Sequence, residues 1–106
     1  MPVRLEPNIK TLRMLKALDN PVRINILSLV VNSSPVSFSD IHGHLEETSG
    51  HDVSKGTLAY HLDILVQSDV LTRELGRGSD RTYSRYNMTA EAEAVLRGLG
   101  LLVEVS

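Results

Sequence analysis

The sequence predicts a mainly α-helical fold with a small β-hairpin wing, in the order α-α-β-α-α-β-β-α. Three observations predict it. Apolar residues recur at helical spacing in several separated segments, most of them preceded by an Asn, Ser or Thr suited to an N-cap. Two alternating segments flank a Gly- and Arg-rich turn late in the chain, the pattern of a hairpin. The 106 residues, 42% hydrophobic, suffice for one domain with a real core, spanning 1–106, and are too few for two.

Asn8 predicts the cap of a first helix running to Leu18, with Ile9, Leu12, Leu15 and Leu18 along one side and Lys10, Arg13 and Lys16 along the other. Asn20 and Pro21 then take the N-cap and N1 positions. The Asn side chain accepts from amides left free in the first turn, and Pro lacks an N–H that would go unbonded there. The helix they open, Val22 to Val31, is apolar almost all round and is expected at the centre of the core. Asn32-Ser33-Ser34-Pro35 ends it, and Val36-Ser37-Phe38 is a short strand candidate. Ser39 and Asp40 open a third helix that turns Ile41 and Leu45 inward and stops in the polar run Glu46 to Asp52, expected as a loop. Ser54 caps a fourth helix reaching about Ser68, in which Leu58, Leu62 and Leu65 fall at i, i+4 and i+7 on one face. Leu71 to Leu75 and Thr82 to Asn87 alternate as strands around Gly76-Arg77-Gly78-Ser79-Asp80-Arg81. Thr89 caps a last helix whose apolar stripe runs through Ala92, Val95, Leu96, Leu99 and Leu102.

With no cysteine there is no disulfide frame, thiolate metal site or thiol nucleophile, which fits a reducing, cytoplasmic setting. No apolar run approaches the roughly 20 residues of a membrane span, and no export signal is visible. The net charge of −2 argues against coating nucleic acid by bulk electrostatics. Its distribution matters more: residues 1–31 hold five Lys/Arg against two acids, 32–53 hold four acids and no base, 54–88 hold five against four, and 89–106 hold one against three. A locally basic strip on a mildly acidic chain suits a site-selective binder. Catalysis is not expected, because there is no Gly-rich phosphate loop, nucleophile elbow or Ser-His-acid spacing.

The fourth helix carries the functional signal. If its leucine stripe faces a core, its first turn is free to touch something else and offers Ser54, Lys55, Gly56, Thr57 and Tyr60. These are small or hydrogen-bonding groups of the kind that read base edges and phosphates in a major groove. His61, beside Leu62, is a candidate on two counts, as a packing histidine and as a phosphate contact. The wing, about 71–87, adds Arg73, Arg77, Arg81 and Arg85, with Arg77 and Arg81 flanking the tip. Flexible arginines at such a tip suit phosphates or a narrow, electronegative minor groove. Alternation turns Tyr83 and Arg85 to one face of the second strand and Thr82, Ser84 and Tyr86 to the other.

Leu15 to Leu27 (LKALDNPVRINIL) resembles the opening signature of ArsR-like winged-helix repressors. Phe38-Ser39-Asp40-Ile41 is similar to the start of that family's first helix-turn-helix helix, Ser54 to Leu65 with its His61-Leu62 pair to the recognition helix, and Tyr86-Asn87-Met88-Thr89 to the junction before the last helix. The resemblance covers roughly residues 10–100. It implies a winged helix-turn-helix, prokaryotic transcription regulator that binds double-stranded operator DNA as a homodimer through its terminal helices. Where metal-sensing members carry a cysteine pair this sequence has Ser37 and Ser39, and the last helix holds Glu91 and Glu93 but no histidine, so neither familiar metal site carries over. Residues 46–53 also make the link between the two helix-turn-helix helices longer than a tight turn.

The dimer candidates are Leu12 and Leu15 with Val95, Leu96, Leu99 and Leu102, because an exposed apolar stripe of that length is a liability on a monomer. His42, His44 and His51 supply one helical pair, Asp40 with His44 at i, i+4, and are expected as exposed polar histidines. No metal or cofactor is expected, and no small-molecule or metal effector is indicated. The alternatives are a winged-helix protein–protein interaction module, favoured by the net acidity, and a His-based metal-responsive regulator.

Overall fold

Helix starts in this chain lie where a side chain can close free amides, and the computed structural model, which describes residues 1–49, 53–78 and 82–105, shows five such closures. One is made by Ser37, in place of the expected Ser39 and Asp40: the Ser37 Oγ accepts from the Asp40 amide at 3.1 Å. Asn8 Oδ1 accepts from the Thr11 amide, Asn20 Oδ1 from Val22 and Arg23, Ser54 Oγ from Thr57 and Thr89 Oγ1 from Ala92, at 2.9–3.2 Å. Each such cap contributes about 1 kcal/mol. The elements are α1 (Ile9–Leu18), α2 (Pro21–Ser33), β1 (Val36–Ser37), α3 (Phe38–Ser49), α4 (Lys55–Gln67), β2 (Leu71–Arg77), β3 (Thr82–Met88) and α5 (Ala90–Gly98). The strands form one antiparallel sheet in the order β1-β3-β2, with Val36 opposite Tyr86 and Glu74 opposite Arg85.

The core gathers around α2. Ile26, Leu27 and Val30 are buried with Ile41 and Leu45 of α3, Leu58, Leu62 and Leu65 of α4, Val70, Leu71 and Tyr86 at the base of the wing, and Ala92 and Leu96 of α5. The expected element order and mainly α winged-helix fold are therefore observed. No helix among the described residues is long and apolar enough to cross a membrane.

Five local expectations are corrected. Phe38 begins α3 instead of closing the strand. The helix runs on to Ser49, so the expected loop is helical at 46–49, while residues 50–52 of it lie outside the described residues. Thr48 explains why: its Oγ1 donates to the His44 carbonyl at 2.8 Å and accepts from Asn25 Nδ2 at 2.7 Å, which ties the polar end of α3 to α2. In α1 the core takes Met14, Ala17 and Leu18, while Ile9 and Leu12 stay exposed.

The fourth correction concerns α5, which ends at Gly98, so Leu102 lies beyond it. Gly100 adopts φ 76°, and the amides of Gly100 and Leu101 bond the carbonyls of Arg97 and Leu96 at 3.0 and 2.9 Å. This left-handed stop closes the orphan carbonyls and bends the chain away from the helix axis. The same stop ends α4, with Asp69 at φ 62° and the Asp69 and Val70 amides on Val66 and Leu65. Fifth, β2 extends through Gly76 and Arg77, which were expected in the turn. Gly76 pairs with Tyr83, and a Cβ at Gly76 would sit 2.9 Å from the Tyr83 ring and from Arg85 Nε. The residue must therefore be small for those side chains to lie across it.

Candidate nucleic-acid interface

Burial of one stripe of α4 fixes what its other faces do. Leu58, Leu62 and Leu65 are buried, and Lys55, Gly56, Thr57 and Tyr60 are exposed, Tyr60 at 61%. Ser54 is exposed as well, but its hydroxyl is engaged: it accepts from the Thr57 amide and donates to Thr57 Oγ1 at 2.9 Å. Gly56 has a different logic from Gly76. A glycine within a helix costs roughly 0.5–1 kcal/mol relative to Ala, yet a Cβ at Gly56 would meet nothing within 4 Å. The packing of the chain itself gives no reason for its smallness.

His61 does not join the exposed set. It is only 8% exposed, and Arg23 Nε donates to its Nδ1 at 3.2 Å. Burial first, and the neighbouring Arg23 charge second, lower its pKa from the usual 6.5, which keeps the ring neutral and Nδ1 an acceptor. The candidate phosphate contact is thus a packing histidine. Its spacing foretold this, since position 61 lies three residues after Leu58 and four before Leu65, on the buried face. Sequence reasoning missed Arg23 altogether. Its Nη1 also donates to the Ala17 carbonyl at 3.0 Å, so one guanidinium joins the end of α1 to α4.

The wing arginines separate into different environments. Arg73 Nη1 lies 3.7 Å from Asp63 Oδ1 on α4, and Arg85 Nη2 lies 3.2 Å from Glu74 Oε1, its direct cross-strand partner. Arg85 also stands over the Tyr83 ring at 6.0 Å, with its Nε buried and unpartnered. Arg77 is exposed and has no ion pair among the described residues. Arg81 and His51 lie outside the described residues.

His42 Nε2 lies 2.7 Å from the Val53 carbonyl with Nδ1 3.3 Å from Glu46, and His44 Nε2 lies 3.1 Å from Asn25 Oδ1. Both are half-buried and bonded, where exposed histidines were expected. Among the described residues no three His, Cys, Asp or Glu side chains come together as a metal ligand set. Of the dimer candidates, Leu96 is buried in the core of its own chain, Val95 and Leu102 pack partly against that core, Leu15 is half-buried, and Leu12 and Leu99 are exposed. Leu96 is thereby removed from any surface role.

No protein-family model matches the chain, and no curated protein matches it. Solved structures do. The reduced form of the transcriptional regulator YodB from B. subtilis superposes with a TM-score of 0.67 at 18% identity, covering 90% of this chain and 85% of that one. A transcriptional regulator homologue from Pyrococcus horikoshii OT3 gives 0.65 at 22% identity over 87% and 88%. Bacillus subtilis PadR in complex with operator DNA gives 0.65 at 17% identity, covering 82% of this chain and 50% of PadR. Likeness at these identities establishes the winged-helix fold.

Proposed function

We propose that the chain is a sequence-specific, DNA-binding transcription regulator of the ArsR-like kind. The observation that carries this reading is the exposed first turn of α4, held outward by a fully buried leucine stripe. Lys55 and Thr57 contact phosphates or base edges there, Tyr60 packs on the backbone or donates its hydroxyl to it, and Gly56 lets the helix approach the duplex closely. Ser54 acts through the cap, presenting the free amides of a helix N-terminus, an anion-binding feature in its own right. Arg77, with Arg81, reaches a phosphate or the minor groove from the wing tip. The PadR structure, whose DNA is an operator, supports a duplex as partner of this fold. The Leu15–Leu27 signature supports the ArsR-like grouping.

The functional unit is a homodimer that represses by occupying its operator. Exposed Leu12 and Leu99, each more than half accessible, are the contacts a second copy covers. Two copies present two α4 helices to half-sites about 34 Å apart. Arg73 and Arg85 act through the wing, which they brace.

Fluorescence anisotropy of labelled duplex from upstream of the coding sequence, titrated at several salt concentrations, tests this. Two chains per site are expected, with affinity falling steeply as salt rises. Lys55→Ala should flatten the log-log slope by about one unit per lost phosphate contact, hence about two in a dimer. Binding no tighter than to random duplex would contradict the reading and favour a protein-interaction module.

A further inference from the structure

Three of the five basic residues in the first 31, Arg13, Lys16 and Arg23, converge on one concavity. A groove of about 610 Å³ runs between α1, the α1–α2 junction and the C-terminal half of α4, lined among others by Arg13, Lys16, Arg23, Tyr60 and Ile64. Its volume falls in the range of small-molecule sites, roughly 300–1,000 Å³. Arg4, Arg73, Arg85 and Arg97 each hold a carboxylate within 4.0 Å, whereas Arg13, Lys16 and Arg23 hold none among the described residues. Asp19 lines the same groove and pairs with none of them. Three cations against one acid leave the lining with a net positive charge that draws an anion.

Arg23 adds pre-organisation. Its Nε and Nη1 are spent on His61 and the Ala17 carbonyl, which fix the plane of the guanidinium and leave Nη2 without a protein partner among the described residues. A guanidinium held in this way offers a carboxylate or phosphate the two N–H groups of Nη2, already oriented, at little entropic cost. Arg13 and Lys16 are exposed and free to close over the same group. Tyr60 and Ile64 supply an apolar wall beside the cations. A bare inorganic anion would use the charges but not that wall.

We propose that this groove binds a small organic anion: a carboxylate or phosphate head held by Arg13, Lys16 and Arg23, with an aromatic or similarly flat apolar body against Tyr60 and Ile64. A consequence follows for the duplex, because Tyr60 belongs both to the groove and to the exposed face of α4. A bound anion therefore competes with DNA for that side chain. This consequence rests on the proposed function; the binding site itself does not.

Calorimetric titration of the whole chain in the absence of DNA tests the site with 1-naphthoate and 1-naphthyl phosphate as probes and neutral 1-naphthamide as control. At least one anion should saturate one site per chain, about tenfold or more tighter than the amide. The Arg13→Ala/Lys16→Ala double variant, altered only at exposed positions, should weaken it about tenfold or more, while Lys10→Ala leaves it unchanged. The stronger probe tells which head group the site prefers. Failure of both anions to bind up to about 10 mM, equal binding of the amide, or indifference to the double variant would overturn the proposal. If the double variant instead weakens only duplex binding, the cations serve the DNA backbone and the proposal fails while the regulator reading stands.

Discussion

The hairpin and the α1–α4 groove are both rich in arginine, and the fold treats their charges in opposite ways. On the body of the hairpin, Arg85 faces Glu74 across the strands and Arg73 reaches Asp63, so both of these positive charges have an acid beside them. In the groove, Arg13, Lys16 and Arg23 converge with no such partner among the described residues. The body of the wing is a braced scaffold, and the available positive potential lies at its tip, at Lys55 and in the groove. Counting basic residues along the chain thus overstates the wing and understates α1.

The largest expected effect separates the two regions by stability. Arg23→Ala leaves the Ala17 carbonyl and the buried His61 Nδ1 without their donor, and should cost about 2–3 kcal/mol in urea unfolding. Arg73→Ala removes a pair exposed by about half on both sides, and should cost less than about 1 kcal/mol. Equal losses would erase the distinction between a structural guanidinium and a surface pair.

A smaller effect concerns acid. His61 has a folded pKa below 6.5, while the unfolded chain titrates near 6.5. As pH falls below 6.5 the unfolded state takes up a proton that the folded state refuses, so stability is full above that value and declines toward the folded pKa. His61→Gln keeps an acceptor for Arg23 but cannot titrate. Its stability should vary less than that of the wild-type chain between about pH 5 and 7, by thermal or urea unfolding. Profiles of the same steepness would show that His61 is not buried neutral.

What the sequence made legible was local. Asn8, Asn20, Ser54 and Thr89 cap the helices they were expected to cap, and the Leu58-Leu62-Leu65 stripe is buried, because capping and periodicity act within one or two turns. The misplaced ends had long-range or conformational causes. The extension of α3 depends on Asn25 meeting Thr48, 23 residues away. The stop after α5 depends on the positive φ of Gly100, a signal present in the sequence as a glycine just past an apolar run. His61 was also legible, since its spacing from Leu58 and Leu65 puts it on the buried face.

The pairing of the arginines was not legible. Glu74 and Arg85 meet through strand register, Arg73 and Asp63 through the packing of the wing on α4, and the groove joins residues 13–23 to 60–68 across the fold. None of these juxtapositions leaves a trace in spacing.

Backbone amide NMR of the chain, titrated with the upstream duplex, tests the central claim most directly. The outward first turn of α4 and the wing tip should carry the changes, with shifts concentrated at residues 54–60 and 75–78. Shifts confined to α2 and the segment 99–105, with residues 54–60 unmoved, would contradict it.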